Sequence, residues 1–197
     1  MTLPNKLTVS RLVMAPFFYV AFTLPRWIPG SENVSTALCL ILFCAIELTD
    51  LLDGRIARAR HLVTDLGKVM DPFGDALSHL TYFVCFMMAG IMPSWVFLVI
   101  MYREFGISFV RMLMIREGQV MPANKWGKSK TVMYAASGVL GILYLALERW
   151  VSGASWLPAY RTVLTVVFVL CAIASVGSFL IYIVKIVKNG SLSKMTR

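Results

Sequence analysis

Negative charge is what this chain has least of. Only ten of its 197 residues are Asp or Glu, against nineteen Lys and Arg, and the formal net charge is +9. Cysteine and histidine are sparse too. Cys39, Cys44, Cys85 and Cys171 fall in apolar runs without metal-ligand spacing, so a zinc ribbon and a secretion-type disulfide framework are excluded and core packing is their reading. Internal repeats and low-complexity tracts are absent, and no basic domain stands clear of the apolar sequence. That removes nucleic acid as the natural partner of the positive charge.

What the chain has in excess is apolar sequence. It is 58% hydrophobic, with a mean hydropathy of +0.75, where a soluble domain averages about 45–50% apolar. Runs near the roughly 20 residues that cross a bilayer recur at about 7–25, 34–54, 72–91, 93–115, 130–148 and 161–184. The expected fold is an all-α integral membrane protein of six transmembrane helices, with residues 1–197 forming a single domain. The first run is followed by "LPRWIPG" and lacks a small-residue cleavage site, so it reads as an uncleaved span. Of the nineteen basic residues, only Arg26, Arg149 and Arg161 fall in outer loops when the N-terminus is inside. This bias predicts that both termini are cytoplasmic. The basic face then lies against anionic headgroups. Arg11 and Lys6 read as part of this topology signal. Trp150, Trp156 and Tyr160 suit an interfacial aromatic belt.

Against this background, "TDLLDGRIARARHLVTDLGKVMDPFGD" (residues 49–75) is anomalous. Asp50, Asp53, Asp71 and Asp75 stand at or inside the ends of apolar runs, where a carboxylate is costly. At 100° per residue, Asp50, Asp53, Gly54, Ala57 and Arg58 share about 140° of one helix face. Asp71, Asp75 and Gly67 do the same on the next helix, so one helical hairpin can aim two carboxylates from each arm at a common point. Pro72 could instead open that helix, with Gly67 on the loop. Four carboxylates alone would repel; cations between them remove the difficulty. Oxygen ligation without His or Cys selects hard ions such as Mg²⁺, Mn²⁺ or Ca²⁺. Two ions sharing Asp53 would clamp both oxygens of a phosphoryl displacement. Gly54 and Gly67 leave open backbone for a bulky ligand, and Arg58 offers a fork for a phosphate. The competing reading is a solvated loop in which the acids pair with nearby Arg and Lys, which suits Asp65 only.

The spacing Asp50-x₂-Asp53-Gly54-x₂-Ala57-Arg58-x₈-Gly67-x₃-Asp71-x₃-Asp75 resembles the signature of the CDP-alcohol phosphotransferases without a departure. The resemblance implies a membrane enzyme, usually a homodimer, with a two-metal site near the cytoplasmic interface of the cell membrane. Such an enzyme transfers a phosphatidyl or related group from a CDP-linked donor to an alcohol and releases CMP. It further implies Asp50, Asp53, Asp71 and Asp75 as ligands of two Mg²⁺ or Mn²⁺ ions, with Asp75 also the general base. Gly54, Ala57, Arg58 and Gly67 would line the donor's nucleotide and phosphates.

The opening "LPNKLTVSR", with "REFGISFVR" (103–111) and "NKWGKSKT" (124–131), is similar to the bacterial phosphatidylglycerophosphate synthase branch of that family. That likeness implies CDP-diacylglycerol as donor and sn-glycerol 3-phosphate as acceptor, its phosphate held by Thr8, Arg103, Arg111 and Lys128. An Arg inside an apolar run wants an anion, which an acceptor phosphate would supply. Arg103 could instead pair with Glu104 or Glu47, and Lys125, Lys128 and Lys130 could simply hold a loop to anionic lipid. Inositol phosphate is the nearest rival acceptor; serine, choline-type alcohols and phosphatidylglycerol are more distant. A cation transporter would use acids spread through several spans, not gathered at one edge. His79 reads as a satisfied polar contact.

Overall fold

The computed structural model describes residues 3–59, 65–116 and 125–188, except the side chains at 57, 58, 65, 66, 68, 69, 115, 116, 125–129, 185 and 188. Among the described residues the chain forms α-helices and no strand: α1 (Leu3–Thr23), α2 (Glu32–Ala59), α3 (Asp65–Met88), α4 (Ser94–Arg116), α5 (Lys125–Trp150) and α6 (Leu157–Lys188), with a 3₁₀ turn at Leu24–Arg26. Four of them, α1, α2, α5 and α6, are long and apolar enough to cross a membrane. The six expected spans are therefore met in part. In α4, Arg103, Glu104 and Arg111 interrupt the apolar run, and in α3 Asp71, Asp75 and His79 do so. These two helices carry polar residues within their length, and apolar helices pack against them. Large apolar side chains such as Val13, Phe17, Ile41, Val163, Ile173 and Leu180 stand exposed on the outside, a surface suited to lipid and not to water.

Packing explains the arrangement. Helix α1 lies against α2 and α3, α2 against α5, α3 against α4 and α5, and α6 against α4 and α5. Tyr82 of α3 stacks between Phe18 of α1 and Phe43 of α2, with ring centroids 4.9 and 4.8 Å apart. Phe83 and Phe86 reach Phe168 of α6 at 6.0 and 5.9 Å. Offset and edge-on aromatic pairs of this kind add to the gain from burial alone. Gly141 of α5 admits Phe86: a Cβ there would stand 2.5 Å from the ring. Small residues that let neighbouring elements approach are the usual device of membrane helix packing. Helix α3 closes at Gly90, whose φ of +72° belongs to the left-handed region, and Gly90 N–H and Ile91 N–H donate back to Met87 and Phe86 carbonyls.

Pro72 lies inside α3, not at its start. The helix begins at Asp65, so Gly67, Asp71 and Asp75 all ride on one continuous helix. The Pro removes one ladder hydrogen bond immediately beside the signature acids. In α2, Asp50 and Asp53 lie about 27 and 32 Å along the axis from Glu32, near the far edge of a roughly 30 Å hydrocarbon core. The N-terminal ends of α1, α3 and α5 and the C-terminal ends of α2, α4 and α6 thus form one end of the bundle, where the polar residues collect.

Candidate functional site

Helical spacing sets the site. Thr8 and Arg11 are three residues apart on α1, Asp50 and Asp53 three apart on α2, and Asp71 and Asp75 four apart on α3. Each pair therefore shares a helix face. Because α1 packs on both α2 and α3, the three faces meet. Gly74 keeps the α3 surface low at this point: a Cβ there would already touch Thr8 Cγ2 at 3.4 Å, and a longer side chain would lever α1 away.

Arg11 occupies the centre. It is 1% exposed. Its Nη2 donates to Asp53 Oδ2 at 2.7 Å and its Nη1 to Asp75 Oδ1 at 2.7 Å; Nη1 also pairs with Asp50 Oδ1. The Thr8 hydroxyl, fully buried, lies 2.7 Å from Asp71 Oδ1 and 3.2 Å from Asp53 Oδ2. One oxygen of each of the four carboxylates is thus engaged by two side chains of α1. The four acids come together as the sequence predicts, and the cation between them is a guanidinium.

Among the described residues no three His, Cys, Asp or Glu side chains already stand as a ligand set for a metal ion. The donor chemistry nevertheless fits hard divalent cations. Four carboxylates gather around one positive charge, leaving an excess of negative charge at the site. All the donors are oxygens, the ligand type of Mg²⁺ and Mn²⁺.

A second polar cluster lies at the same end of the bundle. Glu104 of α4, 5% exposed, accepts from Arg103 Nη1 at 3.0 Å and from Lys130 Nζ of α5 at 2.6 Å. Arg103 Nη2 donates to Ser178 Oγ of α6 at 3.0 Å. The Lys130 ammonium sits 4.4 Å from the centre of the Tyr134 ring, and the Tyr134 hydroxyl is bonded to Ser175 at 2.8 Å. His79 connects the two clusters: its Nδ1 is 2.7 Å from the Asp75 carbonyl, and its ring lies edge-on to Tyr134 at 5.6 Å.

The other expected residues have the following surroundings. Thr8, expected beside the acceptor phosphate, is bonded to the carboxylates. Arg103 does pair with Glu104. Arg111 is half-buried on the same helix, Gly54 is half-buried on α2 and Gly67 is buried on α3. Ala57, Arg58 and Lys128 have side chains outside the described residues. Arg11, read from sequence as a topology signal, is instead the hub of the site; Glu104 is the partner of Arg103 that the sequence offered, His79 makes the polar contact expected of it, and Lys130, read as holding a loop to lipid, pairs with Glu104 instead. The available signal was the same for all: a charged or polar side chain within an apolar run needs a partner, and Thr8 and Arg11 share one face.

The chain matches the family described as CDP-alcohol phosphatidyltransferase over residues 1–187. It is 34% identical over 190 residues to the CDP-diacylglycerol–glycerol-3-phosphate 3-phosphatidyltransferase of Treponema pallidum (strain Nichols), covering 93% of this chain and 88% of that protein. The Bacillus subtilis (strain 168) protein of the same name is 35% identical over 135 residues, covering 66% and 70%. The probable phosphatidylglycerophosphate synthase of Mycobacterium tuberculosis (strain H37Rv) is 33% identical over 146 residues, covering 74% and 67%.

Proposed function

Since the chain belongs to the CDP-alcohol phosphatidyltransferase family and is thus a phosphotransferase of phospholipid biosynthesis, we propose that it transfers the phosphatidyl group of CDP-diacylglycerol to sn-glycerol 3-phosphate, giving phosphatidylglycerol phosphate and CMP. The observation that carries this reading is the meeting of Asp50, Asp53, Asp71 and Asp75 on Thr8 and Arg11, with a second charged cluster of Arg103, Glu104 and Lys130 at the same end of the bundle. The first has the chemistry for a pyrophosphate donor held through cations, and the net positive charge of the second suits an anionic acceptor. The names of the relatives agree with that pair of substrates.

Asp50, Asp53, Asp71 and Asp75 would hold two divalent cations, Mg²⁺ or Mn²⁺, which when bound would neutralise the donor pyrophosphate and the charge on departing CMP. Gly54, Ala57, Arg58 and Gly67 would line the nucleotide and the donor phosphates. The acceptor hydroxyl attacks the phosphorus that carries diacylglycerol, and its proton passes to the Asp75 carboxylate. A new P–O bond forms, the P–O bond to CMP breaks, and CMP leaves with the electron pair. Arg103, Arg111 and Lys128 bind the acceptor's own phosphate. Thr8 and Arg11 hold the acids in place.

The six apolar runs of the sequence support six spans in the cell membrane, and the biased distribution of Lys and Arg supports both termini in the cytoplasm and the active site on that face. The family resemblance implies a homodimer. The test is CMP release by the purified protein in detergent with CDP-diacylglycerol and Mg²⁺. Glycerol 3-phosphate, inositol phosphate, inositol and serine are offered separately. Release only with glycerol 3-phosphate supports the whole reading. Release with another acceptor retains the carboxylate site and discards the acceptor pocket, while no release from folded protein discards CDP-diacylglycerol as donor.

A further inference from the structure

Glu104 has no part in the chemistry above, yet it is an acid only 5% exposed in the interior of the helix bundle. Both of its cations meet the same oxygen, Oε1. They come from different helices, α4 and α5, and Arg103 is tied to α6 through Ser178. The cluster therefore joins three helices around one carboxylate and carries more positive than negative charge.

Two features separate it from a simple structural ion pair. Arg103 is 9% exposed, and its Nε is buried without a partner among the described residues, a donor that a folded interior rarely leaves unused. Lys130 presents three N–H donors, and one oxygen of Glu104 accounts for one of them. Two cations that share one carboxylate and keep donors in surplus have the chemistry to take a phosphate. The cluster is also linked by a line of contacts to the α3 backbone at Asp75. From the Asp75 carbonyl the path runs through His79 to the Tyr134 ring and the Lys130 ammonium above it, in contacts of 2.7, 5.6 and 4.4 Å.

We propose that Glu104 is a positioning residue for the acceptor: it clamps Arg103 and Lys130 into a rigid two-cation cradle whose spare donors require the acceptor alcohol to bring a phosphate monoester. This rests on the acceptor reading above, and deepens it by adding Lys130 to the cradle and naming what aligns it. Glu104 touches neither substrate. Without it, the two cations repel and turn apart, and the acceptor loses a prearranged site.

The experiment measures initial rates of the full chain in mixed micelles, varying glycerol 3-phosphate and CDP-diacylglycerol separately, with the melting midpoint of each variant as a folding control. Glu104→Gln should raise the acceptor KM by about tenfold or more, the loss of one charge-assisted contact, while kcat and the donor KM stay within about threefold. Arg103→Gln should raise the acceptor KM as well, and the Glu104→Gln effect should shrink in the Arg103→Gln background, because only Lys130 is left to position. Glu104→Asp keeps the charge one methylene short and should recover part of the acceptor affinity. If Glu104→Gln does not fold, the Asp variant carries the test with a smaller rise in acceptor KM. Should Arg103→Gln raise the acceptor KM and neither Glu104 variant do so, the clamp is wrong. Should Arg103→Gln leave it unchanged, the acceptor reading itself is wrong. An equal rise in both KM values overturns the proposal by making Glu104 a purely structural ion.

Discussion

Replacing Arg11 with Gln tests the centre of the site most directly. The side chain keeps most of its length and loses the charge, leaving Asp50, Asp53 and Asp75 without their shared cation. These three pairs are not equal. Asp50 and Asp75 side chains are 42% and 34% exposed, so water screens them and each pair is worth roughly 0–1 kcal/mol. Asp53 is 5% exposed, and breaking a buried pair by deleting one partner costs about 3–5 kcal/mol. The Asp53 pair therefore decides the outcome. A chain of this size loses about 2–4 °C of midpoint per kcal/mol, so the variant in detergent with EDTA should melt about 6–20 °C below the parent. Mg²⁺ should recover more of that loss than it adds to the parent, because divalent cations and the guanidinium neutralise the same carboxylates. Differential scanning fluorimetry with and without Mg²⁺ reads both effects. A variant that melts with the parent in EDTA would refute Arg11 as the counter-ion of the acids.

Three further outcomes follow from the same structure. Asp75→Asn should lower turnover by about 10²–10⁴-fold, the usual worth of a general base, with little loss of stability because the side chain is partly exposed; CMP release and a melting curve check both, and full activity would remove Asp75 as base. Exhaustive chelation should abolish CMP release, with Mg²⁺ or Mn²⁺ restoring it; activity that survives chelation would rule out the two-metal reading. Gly141→Ala places a methyl group 2.5 Å from the Phe86 ring, and Phe86 is fully buried, so overpacking should cost about 1–3 kcal/mol; an unchanged melting midpoint would show that α5 and α3 separate freely.

Much of the site was legible because its spacing is helical. Pairs three or four apart, Asp50 with Asp53 and Asp71 with Asp75, share a face on any α-helix, and the apolar runs around them made helices the only sensible elements. The Pro72 ambiguity was not resolvable in this way. Proline is at home at a helix start and tolerated within a helix packed by neighbours, and only the tertiary contacts of α3 decide between them. Arg103 was read as an anion ligand for the right physical reason, since an Arg in an apolar run needs negative charge. Its nearest negative charge proved to be the adjacent Glu104, shared with Lys130.

By itself the sequence determined the helical class, the apolar lengths and the two carboxylate pairs, because these follow from period and composition. The hub was beyond its reach. Whether Arg11 faces headgroups or acids depends on how α1 rolls against α2 and α3, and that rotation is set by Phe18 against Tyr82 and by the low surface at Gly74. Likewise, Glu104 meets Lys130 across 26 residues of sequence only because α3 and α6 each pack against both α4 and α5. Local spacing shows which side chains share a helix face; only the packing of helices against one another decides what that face meets.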